Sequence, residues 1–210
     1  MSSVDLTAPA LSDRKISILE AATVLFAKHG YAAVSIRDLA REIHTTPAAL
    51  YHHFPDKDAI YTAALRHVFS DRAKALGTIV KGDDAPDVTL ERLIIWLTQQ
   101  FSDNPVLARL VQRELLAGDR DRLRLLTEDV MAAPFREIER LMHRLAPAKD
   151  ASLSAASIIA LVMGYVQLTP VLEVLTGQRN TKQSLKDFAA HTKNLVLHGL
   201  LAQPQPKAPS

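Results

Sequence analysis

Side chains that can donate hydrogen bonds are concentrated in a short N-terminal stretch of this sequence. Within residues 35–57 the chain offers hydroxyl, imidazole, guanidinium and ammonium groups, carried by Ser35, Arg37, Thr45, Thr46, Tyr51, His52, His53 and Lys57. The pair His52 and His53 would suggest a metal site, but neighbours on a helix point about 100° apart and cannot easily share one ion. Donors of these types suit the oxygens of an anion such as phosphate. The stretch is therefore a candidate binding surface.

Other signatures of chemistry are scarce. No glycine-rich phosphate loop follows a strand, and no G-x-S-x-G nucleophile motif occurs. Glu139 and His143 are spaced to share one helix face, but no second such pair completes a metal site. The chain has no cysteine, which excludes disulfides, thiol catalysis and cysteine-based zinc sites. We therefore expect no enzymatic activity, no metal and no cofactor.

Composition sets broad limits on the function. The chain has 210 residues and a formal net charge of only +2, and its first 80 residues carry nine basic against eight acidic side chains. Any affinity for nucleic acid must then come from local placement of charge. The N-terminus lacks the pattern of a signal peptide, and the apolar run around Ser157–Val166 is too short to span a bilayer. We expect a cytoplasmic protein with no membrane partner.

The donors lie among predicted helices, because apolar residues recur at three- and four-residue steps and segments with strand periodicity are scarce. Ser35 and Asp38 form a capping box, and Thr46 followed by Pro47 is a second helix start. The N-terminal helices are predicted from Ser12 or Asp13 to about His29, from Ser35 to near Ile43, from Thr46 to about Phe54, and from Asp56 to about Val80.

Five more helices are predicted after a turn-rich break at 81–87, at about 88–101, 105–117, 120–145, 152–176 and 181–201. Pro134 should kink or split the third of these. The expected organisation is a flexible arm at 1–11, a DNA-binding domain at 12–57, a connecting helix at 58–80, a C-terminal domain at 81–202, and a disordered tail at 203–210.

The segment Ser35–Phe54 has the spacing of a helix-turn-helix. Over about residues 12–60 the sequence resembles the TetR family of bacterial transcriptional regulators. The resemblance is carried by Gly30-Tyr31, by Val34-Ser35-Ile36-Arg37-Asp38-Leu39-Ala40, by Thr46, by Leu50-Tyr51-His52-His53-Phe54, and by Lys57. It implies an all-α fold: a three-helix helix-turn-helix domain followed by a C-terminal helical bundle for dimerisation and ligand binding.

The resemblance also implies which residues contact DNA, since the third helix of the family enters the major groove. Phosphate contacts would come from Ser35, Arg37, Tyr51, His52, His53 and Lys57. Base contacts would fall to Thr45, Thr46, Pro47, Ala48 and Ala49, with His52 a further candidate. Most of these side chains are small or apolar, so we expect modest direct readout aided by DNA shape. The sequence departs from the family at His44, where glycine is usual, and at Ala48.

The resemblance implies dimerisation, and small residues in the 152–176 helix favour it independently. Ala156, Ala160 and Gly164 recur at four-residue steps, which would let another helix approach closely. In the last helix the predicted interface residues are Leu185, Phe188, Thr192, Leu195 and Val196. Both stripes could instead bury these helices within one subunit. A two-fold dimer would present two recognition helices to a palindromic operator.

An effector pocket is implied by the resemblance, and apolar residues with a few polar groups could line it. The candidates are Trp96, Gln100, Phe101, Arg113, Met131, Phe135, His143, Met163 and Gln167. The function expected is a DNA-binding repressor released from its operator by a small-molecule effector of unknown identity. The alternatives are a helical small-molecule carrier or enzyme that retains the motif, and a regulator with no ligand.

Overall fold

The computed structural model describes residues 13–200, apart from the side chain of Leu200, and this range is helical with no strand. The all-α fold class predicted from the sequence is confirmed. The predicted arm at 1–11 and the predicted tail at 203–210 lie outside the described residues.

The helices follow the predicted order along the chain. They are α1 (Asp13–His29), α2 (Ile36–Glu42), α3 (Pro47–Tyr51), α4 (Lys57–Lys81), α5 (Pro86–Ser102), α6 (Pro105–Ala117), α7 (Arg120–Leu125), α8 (Ala132–Leu145), α9 (Ala151–Thr176) and α10 (Lys182–Leu195). Two wider π-helical segments, Leu126–Met131 and Val196–Leu200, follow α7 and α10 directly.

Pro134 accounts for the break between α7 and α8. Proline has no amide hydrogen to donate to the carbonyl four residues earlier, which here belongs to Val130. The π-helical segment Leu126–Met131 contains that residue and ends just before α8. The predicted 120–145 helix is therefore divided just before Pro134, the residue at which the sequence indicated a kink.

The described chain divides into two compact units. The first comprises residues 13–68 and 109–126, and the second comprises 69–108 and 127–200. The division differs from the predicted domains, which placed the boundary at 81–87 and residues 109–126 in the C-terminal domain. Sequence spacing could not show this, because the contacts that join 109–126 to α1 span about 85 residues of chain.

The core of the first unit is built from the apolar faces of its helices. Its buried side chains include Ile18, Leu19, Phe26, Leu39, Leu50, Ile60, Leu65, Leu110 and Val111. Aromatic rings extend this core: Tyr61 meets Phe26 edge-on at 5.0 Å and Tyr31 at 5.1 Å between ring centroids. Burial of these large side chains fixes the short helices α2 and α3 on α1 and α4.

The second unit has a separate core of apolar side chains from five α-helices and the π-helical segment after α10. Its buried members are Leu76, Val80, Leu90, Leu93, Ile94, Leu97, Ile138, Leu141, Met142, Ala155, Ile158, Val162, Ala189 and Val196. An ion pair between Lys193 and Glu91 also links α10 to α5.

Candidate nucleic-acid interface

Helix α2 starts where the sequence predicted, because its first turn caps itself. The Ser35 hydroxyl accepts a hydrogen bond from the Asp38 amide at 3.2 Å, and the Ser35 amide donates to Asp38 Oδ2 at 2.9 Å. The Ser35 hydroxyl also donates to Asp38 Oδ2 at 2.5 Å, and this bond, followed by the one from the Ser35 amide, holds the pKa of Asp38 below its ordinary value. Arg41 donates to the other carboxylate oxygen at 2.6 Å. The cap fixes the direction in which α2 leaves the loop.

The turn between α2 and α3 brings the two helices together over a shared apolar seam. Leu39 and Ala40 on α2 and Leu50 on α3 are buried. Thr46 caps α3 by accepting a hydrogen bond from the Ala49 amide at 3.2 Å, and Pro47 occupies the first helical position. The predicted helix-turn-helix is present, although α3 ends at Tyr51 and not at Phe54.

The outer surface of this helix pair carries most of the predicted contact residues. Ser35, Arg37, Thr46, Ala48, Tyr51 and His52 are exposed, and Thr45, Pro47, Ala49 and His53 are half-buried. Tyr51 is 53% exposed, which is unusual for a tyrosine in a helix next to a core. Phe54, three residues later, is buried, and Lys15 lies over its ring at 5.6 Å. Of these two aromatic residues, only Phe54 contributes to the core.

Lys57 differs from the prediction, which placed it on a phosphate. Its Nζ donates to the Tyr31 and Val34 carbonyl oxygens, both at 2.9 Å, and lies 4.0 Å from the centre of the Tyr31 ring. Burial lowers the pKa of this ammonium group. Lys57 therefore ties the start of α4 to the loop before α2, and we remove it from the candidate contact surface.

Arg113 also differs from the prediction, which placed it in an effector pocket. Its Nε donates to the Ala27 carbonyl at 2.8 Å and its Nη2 to the Lys28 carbonyl at 2.6 Å. These carbonyls lie in the last turn of α1, where no later amide of the helix is available to them. Arg113 therefore belongs to the first unit, where it caps α1 from α6.

A polar cluster next to Arg113 was not predicted from the sequence. The carboxylate of Glu114 is 3% exposed and accepts a hydrogen bond from Arg122 Nε at 3.1 Å. The Arg122 guanidinium also lies over the Tyr31 ring, 4.5 Å from its centre, while the Tyr31 hydroxyl donates to Asp58 at 2.5 Å. Burial is the main cause that raises the pKa of Tyr31 and of Tyr61 above the ordinary tyrosine value. The cluster joins residues 109–126 to the helix-turn-helix side of the unit.

The predicted pocket residues of the second unit differ in exposure. Trp96, Phe101 and Phe135 are half-buried and pack against its core. Gln100, Met131 and Met163 are half-buried as well, while His143 and Gln167 are exposed. A groove of about 610 Å³ lies elsewhere in this unit, lined by Ala73, Lys74, Gly77, Thr78, Lys81, Gly82, Ala133, Pro134 and Glu137.

The predicted interface residues fall into two groups. Ala156, Ala160 and Leu195 are exposed, and Gly164 and Phe188 are half-buried. Leu185 and Thr192 on α10, which packs against α5, and Val196 just after it are buried within the single chain. These three are therefore part of the subunit core and are not free to contact a partner.

Three of the predicted interface residues, Ala156, Ala160 and Gly164, belong to one apolar stripe along α9. It consists of Leu153, Ala156, Ala160, Gly164, Leu168, Val171 and Leu175, spaced at three- and four-residue steps. By length and composition alone α9 could cross a membrane, and only 11% of its most apolar window is buried. The α9 stripe is thus a large apolar surface that residues 13–200 of the single chain leave uncovered.

Comparisons with known proteins agree with this architecture. Residues 18–64 match the family model described as bacterial regulatory proteins, tetR family. The nucleoid occlusion factor SlmA of Marinomonas sp. is 25% identical over 162 residues, covering 74% of this chain and 82% of that protein. The transcriptional repressor Rv3405c of Mycobacterium tuberculosis is 29% identical over 184 residues, covering 81% of this chain and 86% of that protein.

A solved structure shows the same fold at lower identity. The regulator FadR from Bacillus subtilis, in complex with stearoyl-CoA, superposes with a TM-score of 0.72 at 15% identity. The match covers 88% of this chain and 98% of that chain. The likeness therefore extends through both units and well beyond the helix-turn-helix.

Proposed function

Because this chain belongs to the TetR family of bacterial regulatory proteins and is a DNA-binding transcriptional regulator, we propose that it represses transcription by binding operator DNA through α2 and α3. The observation that supports this mode is the exposed side of the helix pair. Its apolar side is buried in the first unit, while its hydroxyl, phenol and imidazole groups face outward. The repressor named among its relatives favours repression over activation.

We propose that the phosphate contacts come from Ser35, Arg37, Tyr51, His52 and His53. Tyr51 carries the most weight, because its ring is exposed at the end of α3 without contributing to the core. The small side chains Thr45, Thr46, Pro47, Ala48 and Ala49 would face the bases. Such residues offer methyl contacts and few paired hydrogen bonds, so the sequence preference per half-site should be modest.

We propose that the α9 stripe forms the interface of a homodimer. Its small residues Ala156, Ala160 and Gly164 run from the second turn to the middle of α9, and two helices could come closest along them. A membrane is the other environment that could cover an apolar helix of this length. A second copy is favoured because two-fold symmetry supplies the second recognition helix that a palindromic operator requires. We place the regulator in the cytoplasm, where that operator lies.

We propose the groove between α4 and α8 as the effector site. Its volume of about 610 Å³ lies within the usual range for small-molecule pockets. Two well-exposed lysines line it, Lys74, which pairs with Asp71, and Lys81, which pairs with Glu137 of the same lining; the excess of basic over acidic groups favours a ligand with an anionic group. A β-carbon at Gly77 would meet nothing within 4 Å, so Gly77→Leu should occupy the groove without disturbing the helix. A metabolite that releases wild-type protein from DNA should then fail to release this variant. Equal release of both proteins would show that the effector binds elsewhere.

The DNA-binding proposal is tested with a duplex selected from a random-sequence library by the wild-type protein. Fluorescence anisotropy should show affinity that falls steeply with salt concentration. Tyr51→Ala and His52→Ala should each weaken binding about tenfold, since each removes a hydrogen bond to a charged group.

His143→Ala is the matched control, because this histidine is exposed in the second unit. It should leave binding unchanged. Salt-independent binding by the wild-type protein, or equal effects of His52→Ala and His143→Ala, would contradict the proposed surface.

A further inference from the structure

His44 has a backbone conformation that no other described non-glycine residue adopts. It lies in the turn between α2 and α3 with φ of 51°. Its amide donates to the Arg41 carbonyl at 3.2 Å, and the Thr45 amide donates to the Ala40 carbonyl at 2.8 Å. This pair of bonds is the left-handed cap of a helix C-terminus, a position that usually holds glycine.

The chain uses glycine at its other described left-handed positions. Gly30, Gly118 and Gly177 have φ of 82°, 63° and 68°, and each follows the end of a helix. A β-carbon in this conformation crowds the backbone, so histidine at position 44 destabilises the turn relative to glycine. The fold alone therefore gives no reason for a histidine there.

The imidazole ring makes no described interaction that would stabilise the folded chain. His44 is exposed, and its ring forms no hydrogen bond, ion pair or ring contact with the residues that the structure describes. Its neighbours on the C-terminal side are Thr45 and Thr46, and Thr46 caps the recognition helix α3. Consecutive α-carbons are 3.8 Å apart, and His44 is only a few residues from the start of α3. Its ring therefore lies close to any surface that α3 contacts.

We propose that His44 is a DNA-contacting residue of this protein, whose ring donates a hydrogen bond to a backbone phosphate beside the groove that α3 enters. The inference rests on the proposed function, since it requires α3 to lie on DNA. It explains why a strained residue with an unpartnered ring stands at the turn. The phosphate is favoured over a base because the ring extends from the turn before α3 and not from the helix itself.

Three substitutions at this position separate the contact from the backbone conformation. His44→Gly removes both the ring and the strain, His44→Ala removes the ring but keeps the β-carbon, and His44→Asn keeps a side-chain donor on a residue that tolerates the left-handed region. Thermal unfolding measures the strain, and anisotropy with the library-selected duplex and with an unrelated duplex measures the contact.

We expect His44→Gly to unfold at a higher temperature than the wild type and yet to bind both duplexes about tenfold more weakly. His44→Ala should lose affinity to the same extent without gaining stability, and His44→Asn should keep most of the affinity. Wild-type affinity in His44→Gly would overturn the proposal, as would affinity that simply follows stability across the three variants. A loss confined to the selected duplex would overturn the phosphate assignment.

Failure of this proposal is distinguishable from failure of the proposed function. If the wild-type protein shows no salt-dependent DNA binding, the function is wrong and His44 has no contact to make. If the wild type binds and loses affinity in Tyr51→Ala but not in His44→Gly, only the assignment of His44 is wrong.

Discussion

Arg122 is the residue on which the polar cluster of the first unit depends. It neutralises Glu114, pairs with Asp119 at 3.0 Å and covers the Tyr31 ring. Glu114 is almost fully buried, so water cannot solvate its charge. A buried carboxylate that loses its partner is far more costly than a surface ion pair that is broken.

We predict that Arg122→Met lowers the free energy of unfolding by roughly 3 kcal/mol, because it leaves the Glu114 carboxylate buried without a counterion. Adding Glu114→Gln to this variant should restore much of the loss. Urea denaturation measures both effects. Arg120→Met, an exposed arginine two residues earlier, is the control and should stay near wild type. A double variant as unstable as the sum of its single changes would argue against the pairing.

Residues whose roles depend on neighbours in the sequence were predicted, and those whose partners are distant were not. Ser35 was predicted as a cap because Asp38 follows it by three residues. Lys57 was placed on a phosphate because the family resemblance implied it, and nothing in the sequence indicated its two carbonyl partners, which lie 23 and 26 residues away. The partners of Arg113 are 85 and 86 residues away. A lysine or arginine carries no mark in the sequence that tells an inward from an outward side chain.

At the scale of elements, the stability of α2 is linked to pH through its cap. The pKa of Asp38 is lowered in the folded chain, mainly by the Ser35 side chain, so the folded state favours the ionised carboxylate. The stabilisation is then complete above the pKa of the unfolded chain and is lost as the pH falls through the lower folded pKa.

We predict that Asp38→Asn is less stable than the wild type by a constant amount above about pH 5, and that the two proteins converge as the pH falls below about 4. Thermal unfolding across this pH range measures the difference. In a Ser35→Ala background the same substitution should have a smaller and flatter effect. A stability difference that does not change with pH would contradict the linkage.

The α9 stripe leads to a prediction about assembly. A carboxylate placed at Ala160, within the stripe, should stay hydrated in the monomer but would be desolvated at a dimer interface. We predict that Ala160→Glu is monomeric by analytical ultracentrifugation and binds the selected duplex at least tenfold more weakly, since it can present only one recognition helix. Gln178→Glu, beyond the end of α9, should remain dimeric. A dimeric Ala160→Glu protein would show that the dimer interface lies elsewhere.

The helices themselves were predictable because their signals are local. Thr46 with Pro47, Gly177 after α9 and Pro134 before the main part of α8 each mark a boundary within one turn of helix. The π-helical segments were not predictable, because their residues continue the apolar pattern of the preceding helix. Which face of α10 is buried was also ambiguous, since Leu185, Thr192 and Val196 suit a subunit core as well as an interface.

At the scale of the whole molecule, the unit that contains the helix-turn-helix is discontinuous in the sequence. Residues 109–126 supply Leu110 and Val111 to its core, Arg113 to the end of α1, and the Glu114–Arg122 pair. The N-terminal segment up to residue 68 therefore contains the recognition elements but lacks part of the packing that holds them.

We predict that a fragment comprising residues 1–81 does not unfold cooperatively and binds the selected duplex weakly. Joining residues 1–68 to 109–126 through a flexible glycine-serine linker should recover a cooperative transition, because it restores the missing core and the cap of α1. Circular dichroism during heating distinguishes the two. Cooperative unfolding of the shorter fragment would show that residues 109–126 are dispensable for this unit.

The same discontinuity affects the protein while it is being made. A ribosome releases α1 to α4 first, with the apolar surface that Leu110 and Val111 will later cover still open to water. At a synthesis rate of roughly 5–20 residues per second, the segment that closes this surface follows only after several seconds. During that interval the nascent chain is exposed to chaperones, proteases and aggregation, and it cannot yet act on DNA. The order of synthesis thus delays the regulator until residues 69–108 of its second unit have also been translated.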